Sequence, residues 1–533
     1  MPAIVTDQFR ILNANNFVES VGNTSNSYYI FLGLTNPAGT PNGTFIGYGR
    51  TSDWDTSSKT PSPIDSFSYR AHAGDTMMFG KKVSSANIRR IIRRVDWVSG
   101  ERYEIYRDDY SPANQSPNTS SSRLYDANYY VLNKDFKVYV CIDNGSSGTN
   151  INGNISQDEP TFTDLEPSKA GNSGDGYVWK YLFTVSPSDI IKFDSTEYIT
   201  VPNDWATSTD SQIRAVRENA NSNINLNQLK HVYIENAGAG YANGLGQEVN
   251  IIGDGSGAKA RVDVVNGSIT SVKVSAGGKG YSYAMVDLGN LNNAASTKAK
   301  LVPIIPPGLG HGSDIYSELG TDKVIVYARF DDSTKDFPID STFGQVGIVK
   351  NPTKINTDIV YTDDTFSSLK AFKFISSFNG SPEKGEEIQQ VLSPSSPNSG
   401  KVATAYVASF DNDTKVLKYF RDRSLNFNKT TLEQTDYVGV TTTANVYDFE
   451  SSLTAANVTG KSSSFSAAID INFSGITTNP DGTKLINLGT NFNLGLSDSE
   501  INKGSGEIIY LDNRPKITRN SRQKEDIKII LEF

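Results

Sequence analysis

The stretch Tyr129–Ile142 reads YYVLNKDFKVYVCI and predicts two antiparallel strands. Apolar and aromatic residues fill both halves, and the polar Asn133-Lys134-Asp135 between them marks a turn. Downstream, GYVWKYLFTV (Gly176–Val185) and EYITV (Glu197–Val201) have the same aromatic and β-branched character. Because such side chains favour pleated, half-buried surfaces, this part of the chain is predicted to be β-sheet.

The composition extends this prediction to the whole chain. The 533 residues include 26 Tyr, 25 Phe and 44 Gly but only 4 Met and 4 Trp. A chain of this length predicts about two to four domains. The net charge of −9 provides no basic field for a nucleic-acid backbone, so we expect no nucleic-acid partner.

The sequence also limits compartment and membrane association. The first residues lack the basic and apolar segments of a secretory signal, and no run of about 18 apolar residues occurs, so no membrane insertion is expected. The single Cys141 excludes an intramolecular disulfide and fits folding in a reducing cytosol.

Residues 232–302 contain an internal repeat. Val232-x-Ile234 followed by Gly238-x-Gly240-Tyr241 returns 40 residues later as Val272-x-Val274 and Gly278-x-Gly280-Tyr281. Alternating polarity broken by glycine turns predicts a small β unit used twice. One copy alone buries too little apolar surface, so the two copies are expected to pack on each other.

Other elements follow from local patterns. Residues 7–21 predict a short helix in which Phe9, Leu12 and Phe17 share one face. Further strands are predicted at Ser27–Leu34, Lys323–Phe330, Gly344–Val349 and Val402–Phe410, and Asp411–Thr414 marks a hairpin turn. The chain ends in strands Glu507–Leu511 and Asp526–Phe533, and Pro515 predicts a turn at Asn513–Pro515.

The densest basic cluster lies in IRRIIRRVDW (Ile88–Trp97), and its candidate docking residues are Arg89, Arg90, Arg93, Arg94 and Trp97. One interpretation is a solvated face. The other is a surface that binds acidic groups of a neighbouring subunit, because the planar guanidinium binds carboxylates in pairs and Trp97 adds an aromatic anchor. A helix and a strand both leave at least one Arg pair pointing away from the core.

No motif predicts catalysis, a cofactor or a metal. His72, His231 and His311 are far apart and form no HExxH pattern, so no metal site is expected. No GxSxG or phosphate-binding GK[ST] sequence occurs, and adjacent acidic pairs such as Glu386-Glu387 would face opposite sides of a strand. We therefore predict that the chain is not an enzyme.

Several segments resemble the gene product 8 family of baseplate wedge proteins from T-even-type contractile-tailed phages. They are, in order, AIVTDQFR near the start, RRIIRRVDW, GDGYVWKYLF (174–183), EYITVP (197–202), FGQVGIVKNP (343–352), SGEIIYLDNRPKI (505–517) and the closing DIKIILEF. The resemblance implies a β-rich, homodimeric, non-enzymatic subunit of the virion tail baseplate, assembled in the host cytoplasm among other wedge subunits.

We therefore predict a mainly β fold of β-sandwich or barrel-like domains with a few short helices. Residues 1–231, 303–350 and 500–533 would form a framework that resembles the wedge protein. Into it are inserted the glycine-rich repeat at 232–302 and a β-rich domain at 351–499. The alternative function is a tail fibre or receptor-binding adhesin that recognises host surface glycans. A tail-associated glycan hydrolase is a third hypothesis.

Overall fold

A computed structural model describes residues 5–33, 73–74, 76–222, 224–291, 295–331, 342–421, 426–428, 433–435, 441–442, 447–480, 482–518 and 524–533. The fold is mainly β, as predicted, with 41% strand and 11% helix arranged in several antiparallel sheets. No sheet in the described part of the chain closes into a barrel.

The helices are α1 Asp7–Gly22, α2 Pro187–Phe193, α3 Ser211–Ala220 and α4 Ile315–Leu319. The strands of the first part of the chain are β1 Tyr28–Gly33, β2 Met77–Val83, β3 Ile88–Arg93, β4 Tyr130–Leu132, β5 Lys137–Asn144, β6 Tyr177–Thr184, β7 Tyr198–Val201, β8 Val232–Asn236, β9 Gly244–Gly253, β10 Ser256–Val265, β11 Ser268–Lys279, β12 Ala284–Asp287, β13 Lys300–Pro303, β14 Lys323–Phe330 and β15 Thr342–Lys350. The later strands are β16 Thr365–Ser367, β17 Lys370–Lys373, β18 Glu387–Val391, β19 Val402–Asp411, β20 Val416–Phe420, β21 Asn426–Asn428, β22 Glu433–Thr435, β23 Thr441–Thr442, β24 Val458–Gly460, β25 Ser466–Ala467, β26 Gly475–Thr478, β27 Ile486–Phe492, β28 Leu496–Ser497, β29 Glu507–Thr518 and β30 Glu525–Glu532.

The chain forms two compact units. The first comprises residues 1–18, 88–326 and 529–533, and the second comprises 19–87 and 327–528. In the first unit, β4 and β5 form the predicted hairpin, and β6 completes a three-stranded sheet in the order β4-β5-β6. A second sheet has the order β30-β14-β3-β7.

An aromatic core fills the first unit. Trp179, Trp205, Tyr129 and Tyr139 are almost completely buried in it. The indole N–H of Trp205 donates to the carbonyl oxygens of Gly312 and Ser313, at 3.2 and 3.0 Å. Many of the tyrosines in the sequence thus pack in the core of the first unit.

Helix α1 forms where it was predicted but buries a different face. The face with Phe9, Leu12 and Phe17 is not the one that packs, because Phe9 is 54% and Leu12 51% exposed. The buried residues are Ile11, Ala14, Val18 and Val21, which follow the three- and four-residue spacing of one helical face.

The glycine-rich repeat forms its own core within the first unit. Strands of one copy pair with strands of the other: β8 with β13, β9 with β12 and β10 with β11. The hydroxyl of Tyr281, in the second copy, accepts a hydrogen bond from the backbone N–H of Ala258, in the first copy, at 3.1 Å. In the same way, the hydroxyl of Tyr241, in the first copy, accepts from the backbone N–H of Ala299, in the second copy, at 2.8 Å. The two copies therefore hold each other through a reciprocal pair of buried tyrosines.

The repeated glycines allow this close approach. Gly238 and Gly278 have φ values of +65° and +61°. A Cβ on Gly238 would lie 2.7 Å from the amide nitrogen of Ala299, and one on Gly278 would lie 2.6 Å from that of Ala258. Side chains are excluded at both positions by conformation and by space.

The second unit contains a five-stranded sheet, β16-β2-β1-β15-β29, and a seven-stranded sheet, β25-β24-β18-β19-β20-β17-β28. Its short sheets are β21-β22-β23 and β26-β27. The predicted hairpin at Asp411–Thr414 joins β19 to β20, with Asp411 opposite Val416.

The predicted turn at Asn513–Pro515 is wrong. Strand β29 runs through these residues at the edge of its sheet. Its pairing with β15 shifts between Phe343, which lies opposite Ile517, and Gln345, which lies opposite Asn513. Pro515 thus falls at a bulge on an edge strand. A proline, which has no N–H to donate, is tolerated there because the position needs no hydrogen bond to a neighbouring strand.

Candidate docking surface

The arginine cluster lies on strand β3 and its continuation, which excludes the helical alternative. The strand pairs with β7, with Arg90 opposite Val201 and Arg93 opposite Tyr198, and on its other side with β14. Ile88, Ile91 and Ile92 are buried, so the strand is fixed by its apolar residues.

Arg90 is an interior residue. It is 3% exposed, donates from Nε to Asn15 Oδ1 at 2.6 Å and contacts the carbonyl oxygen of Asn203 at 3.2 Å. Its guanidinium carbon lies 4.1 Å from the centre of the Tyr316 ring. These contacts surround Arg90 with partners from its own chain, so it is not part of the exposed surface.

Arg89 and Arg94 are paired with carboxylates that sequence inspection did not connect to them. Arg89 Nε lies 2.9 Å from Asp189, whose side chain is 9% exposed. Arg94 contacts Asp96 at 3.0 Å and Asp194 at 3.5 Å, and its side chain is 23% exposed. These acids neutralise much of the positive charge that the sequence cluster indicates.

Arg93 is the exposed member of the four. Its terminal nitrogen donates to the carbonyl oxygens of Asp126 and Ala127, at 3.2 and 3.0 Å, and among the described residues no carboxylate pairs with it. Trp97 is half-buried against the aromatic core, and its indole N–H donates to Ser156 Oγ at 3.0 Å. Of the four arginines, Arg93 therefore carries most of the exposed positive charge. The partly exposed Arg94 follows it in the chain.

His311 is held by a buried carboxylate. His311 Nδ1 lies 2.7 Å from Glu318 Oε1, and the amide of Gly312 donates to the other oxygen of Glu318 at 2.7 Å. This buried pair connects helix α4 to the preceding loop. Among the described residues, no group of three or more His, Cys, Asp or Glu side chains could hold a metal ion. His72 lies outside the described residues.

The thiol of Cys141 is also an interior group. It is fully buried on β5, and burial raises its pKa well above the ordinary value, with the nearby Asp143 acting in the same direction. A thiol in this environment stays protonated at neutral pH and is a poor nucleophile. None of the helices in the described ranges is long and apolar enough to cross a membrane.

Comparison with known proteins gives two matches. Residues 160–240, which include β6, α2, β7 and α3, match the model of the Phage-Gp8 family, described as bacteriophage T4 Gp8. The baseplate wedge protein gp8 of Enterobacteria phage T4 is 27% identical over 222 residues. These matches support a gp8-like baseplate wedge protein. The T4 alignment covers 38% of this chain, and the chain spans 60% of the T4 protein's length.

The gp8-like match includes the residues that pair with the arginine strand. Asp189, Asp194 and strand β7 all lie within 160–240. The sequence resemblance to the baseplate wedge family is thus confirmed. The assignment of Arg89, Arg90, Arg93, Arg94 and Trp97 as docking residues stays a prediction, which the geometry restricts to Arg93 and Arg94.

Proposed function

We propose that this chain is a structural subunit of the baseplate wedge in a phage tail. The observation that carries the proposal is the similarity to the T4 baseplate wedge protein over 222 residues. The protein would act by holding neighbouring wedge subunits during tail assembly and host attachment. It would reside in the virion after assembly in the host cytoplasm, without catalytic activity, cofactor, nucleic-acid partner or membrane insertion.

Docking would use the exposed end of the arginine strand. Arg93 has no carboxylate partner in the part of the chain that the structure describes, whereas Asp189 already neutralises Arg89. An acidic group of a neighbouring subunit would therefore be attracted more strongly to Arg93 than to Arg89. A rim charge of this kind mainly speeds encounter and fixes register. We expect Arg93→Glu to weaken wedge association about three- to tenfold at low salt.

The test measures wedge association by sedimentation at low and high salt. The difference between the wild type and Arg93→Glu should shrink as the Debye length falls from about 10 Å at 0.1 M to about 3 Å at 1 M ionic strength. Lys279→Glu, which makes the same charge change at an exposed position of the glycine-rich repeat, is the matched control. Equal association of all three proteins would leave the cluster as a solvated face.

We also propose that the protein is a homodimer whose framework comprises residues 1–231, 303–350 and 500–533. Contacts between the two ends of the chain in the first unit support the framework: the rings of Phe17 and Phe533 are 5.6 Å apart, and Arg10 lies 3.8 Å from Glu532. A variant lacking residues 351–499 should stay folded and dimeric in sedimentation experiments. Aggregation of that variant, or a wild type that is monomeric at every concentration, would contradict this part of the proposal.

A receptor-binding role is the second candidate, and one surface of the glycine-rich repeat favours it. Ile252 on β9 lies opposite Met285 on β12, and Tyr283 directly precedes β12 in the chain. Their exposed fractions are 48%, 61% and 64%. Exposed aromatic and apolar side chains on one face are typical of binding surfaces. Binding of the purified protein to host surface glycans, lost in Tyr283→Ala, would favour this role, and no binding would remove it.

A further inference from the structure

A buried lysine, two asparagines and a glutamate meet in a polar cleft of the first unit. Lys180 on β6 is 3% exposed, and the cleft beside it, about 20 Å³ in volume, is lined by Glu166, Asn219, Asn225 and other polar residues. A buried lysine is costly unless its ammonium is fully hydrogen-bonded. Among the described residues, Lys180 donates to one atom, the carbonyl oxygen of Leu165, although an ammonium carries three donors.

The same carbonyl oxygen brings Lys180 next to Asn219. The side-chain nitrogen of Asn219 also donates to Leu165 O, at 2.9 Å. Because both nitrogens bind one oxygen, their separation cannot exceed the sum of two hydrogen-bond lengths. The amine of Lys180 and the side-chain nitrogen of Asn219 therefore lie within two hydrogen-bond lengths of each other.

Glu166 and Asn225 contact the two ends of that carboxamide. Glu166 Oε1 accepts from the Asn219 side-chain nitrogen at 3.0 Å, and the side-chain nitrogen of Asn225 donates to Asn219 Oδ1 at 3.2 Å. Lys230 holds the other oxygen of Glu166 at 2.8 Å. A hydrogen-bond donor on the amide oxygen and a carboxylate on the amide nitrogen are the groups that an attack on the amide carbon needs.

We propose that Lys180 and Asn219 form an intramolecular isopeptide bond that links strand β6 to helix α3. The neutral amine of Lys180 attacks Cγ of Asn219, and a bond forms between Nζ and Cγ. The tetrahedral oxygen is stabilised by the Asn225 N–H group. Glu166 takes a proton from Nζ and passes it to Nδ2, the bond between Cγ and Nδ2 breaks, and one ammonia molecule leaves. No oxidant or cofactor is required.

The environment of Lys180 favours the reactive form of the amine. Burial lowers the pKa of Lys180 to about 8, and the nearby carboxylates of Glu166 and Glu318 only partly oppose this effect. A substantial fraction of the amine is therefore neutral just above physiological pH. The side chain of Glu166 is 52% exposed, so the released ammonia has a path to solvent.

Mass spectrometry of the denatured full-length protein tests the bond. The wild type should weigh one ammonia less than its sequence, and its digest should contain a branched peptide that joins Lys180 to Asn219. Lys180→Met and Asn219→Ala should have their full sequence masses. Glu166→Gln should react slowly or not at all. Lys169→Met, which removes an exposed lysine from the loop next to Glu166, should keep the deficit and the branched peptide.

The branched peptide is essential, because an asparagine that cyclises on its own backbone also loses ammonia. A wild-type protein at its full sequence mass overturns the proposal. So does a deficit that persists in Asn219→Ala, or a branched peptide that joins any other pair of residues. In protein isolated unfolded from inclusion bodies, before the bond has formed, the rate of cross-linking after refolding should rise with pH and level off above about 8, the pKa of Lys180.

Discussion

The reciprocal tyrosines of the glycine-rich repeat give the sharpest test of its architecture. Tyr281 is 1% exposed, and its hydroxyl is the partner of the amide of Ala258, which is itself 3% exposed. Tyr281→Phe keeps the ring and removes only the hydroxyl. A buried donor left without a partner costs about 1–3 kcal/mol. The expected loss is therefore about 2 kcal/mol, at the middle of that range, because water cannot reach the orphaned amide.

Two matched variants separate this effect from general damage. Tyr241→Phe removes the equivalent hydroxyl, which accepts from the amide of Ala299. Because Ala299 is only partly buried, water can replace the hydroxyl, and the loss of stability should be about 1 kcal/mol. Tyr283 is 64% exposed, and Tyr283→Phe should change stability by less than about 0.5 kcal/mol.

Hydrogen–deuterium exchange is the suitable assay, because a chain with two units is not expected to unfold in one step. Amides in β10 and β11 should exchange more than about tenfold faster in Tyr281→Phe, since about 1.4 kcal/mol corresponds to a factor of ten. Tyr241→Phe should show a smaller acceleration and Tyr283→Phe none. Equal exchange in Tyr281→Phe and Tyr283→Phe would refute the reasoning that the buried hydroxyl joins the two copies.

Three further results are expected. Asp189→Ala should speed hydrogen exchange in β3 and α2 through a loss of about 1–3 kcal/mol, because it removes the carboxylate that contacts the half-buried Arg89; exchange equal to that of the wild type would contradict this. Glu104→Gln should speed hydrogen exchange in residues 116–121, because the buried carboxylate accepts the amide hydrogens of Asn118 and Thr119; protection equal to that of the wild type would exclude this role. Burial raises the pKa of Tyr129, so above pH of about 10 the unfolded chain loses phenolic protons that the folded chain retains, and stability should fall as pH rises. Ionisation of the buried tyrosines, the last part of the absorbance change, should coincide with unfolding followed by circular dichroism, and complete ionisation of a folded protein would contradict this account.

Strand positions could be predicted from the sequence because local signals agree there. The hairpin at Tyr129–Ile142, the strand at Lys323–Phe330 and the hairpin turn at Asp411–Thr414 combine β-forming residues with polar turn residues. The repeat could be found because each copy uses the same Gly and Tyr positions for the same contacts. In these segments local preference and tertiary packing favour the same structure.

Predictions that depended on tertiary contacts did less well. The packed face of helix α1 contains Ile11 and Ala14 rather than the larger Phe9, since the geometry of the neighbouring elements selects the buried side. Pro515 was expected to end a strand, but at an edge bulge it interrupts no ladder bond.

The candidate site was predicted only in part for the same reason. The four arginines are visible in the sequence, but Asp189, which pairs with Arg89, and Asp194, one of the two acids that contact Arg94, lie a hundred positions away along the chain. The cleft at Lys180 could not have been found from spacing, because Glu166, Lys180 and Asn219 come from a loop, a strand and a helix with no common motif. Only the fold brings these groups together.

The central claim is that this chain is a structural part of the tail baseplate. Electron microscopy of purified phage tails, labelled with a gold-conjugated antibody against residues 232–302, tests it most directly. The account predicts gold at the baseplate end of the tail. Gold along or at the tips of the tail fibres, or tails that contain none of this protein by mass spectrometry, would contradict it.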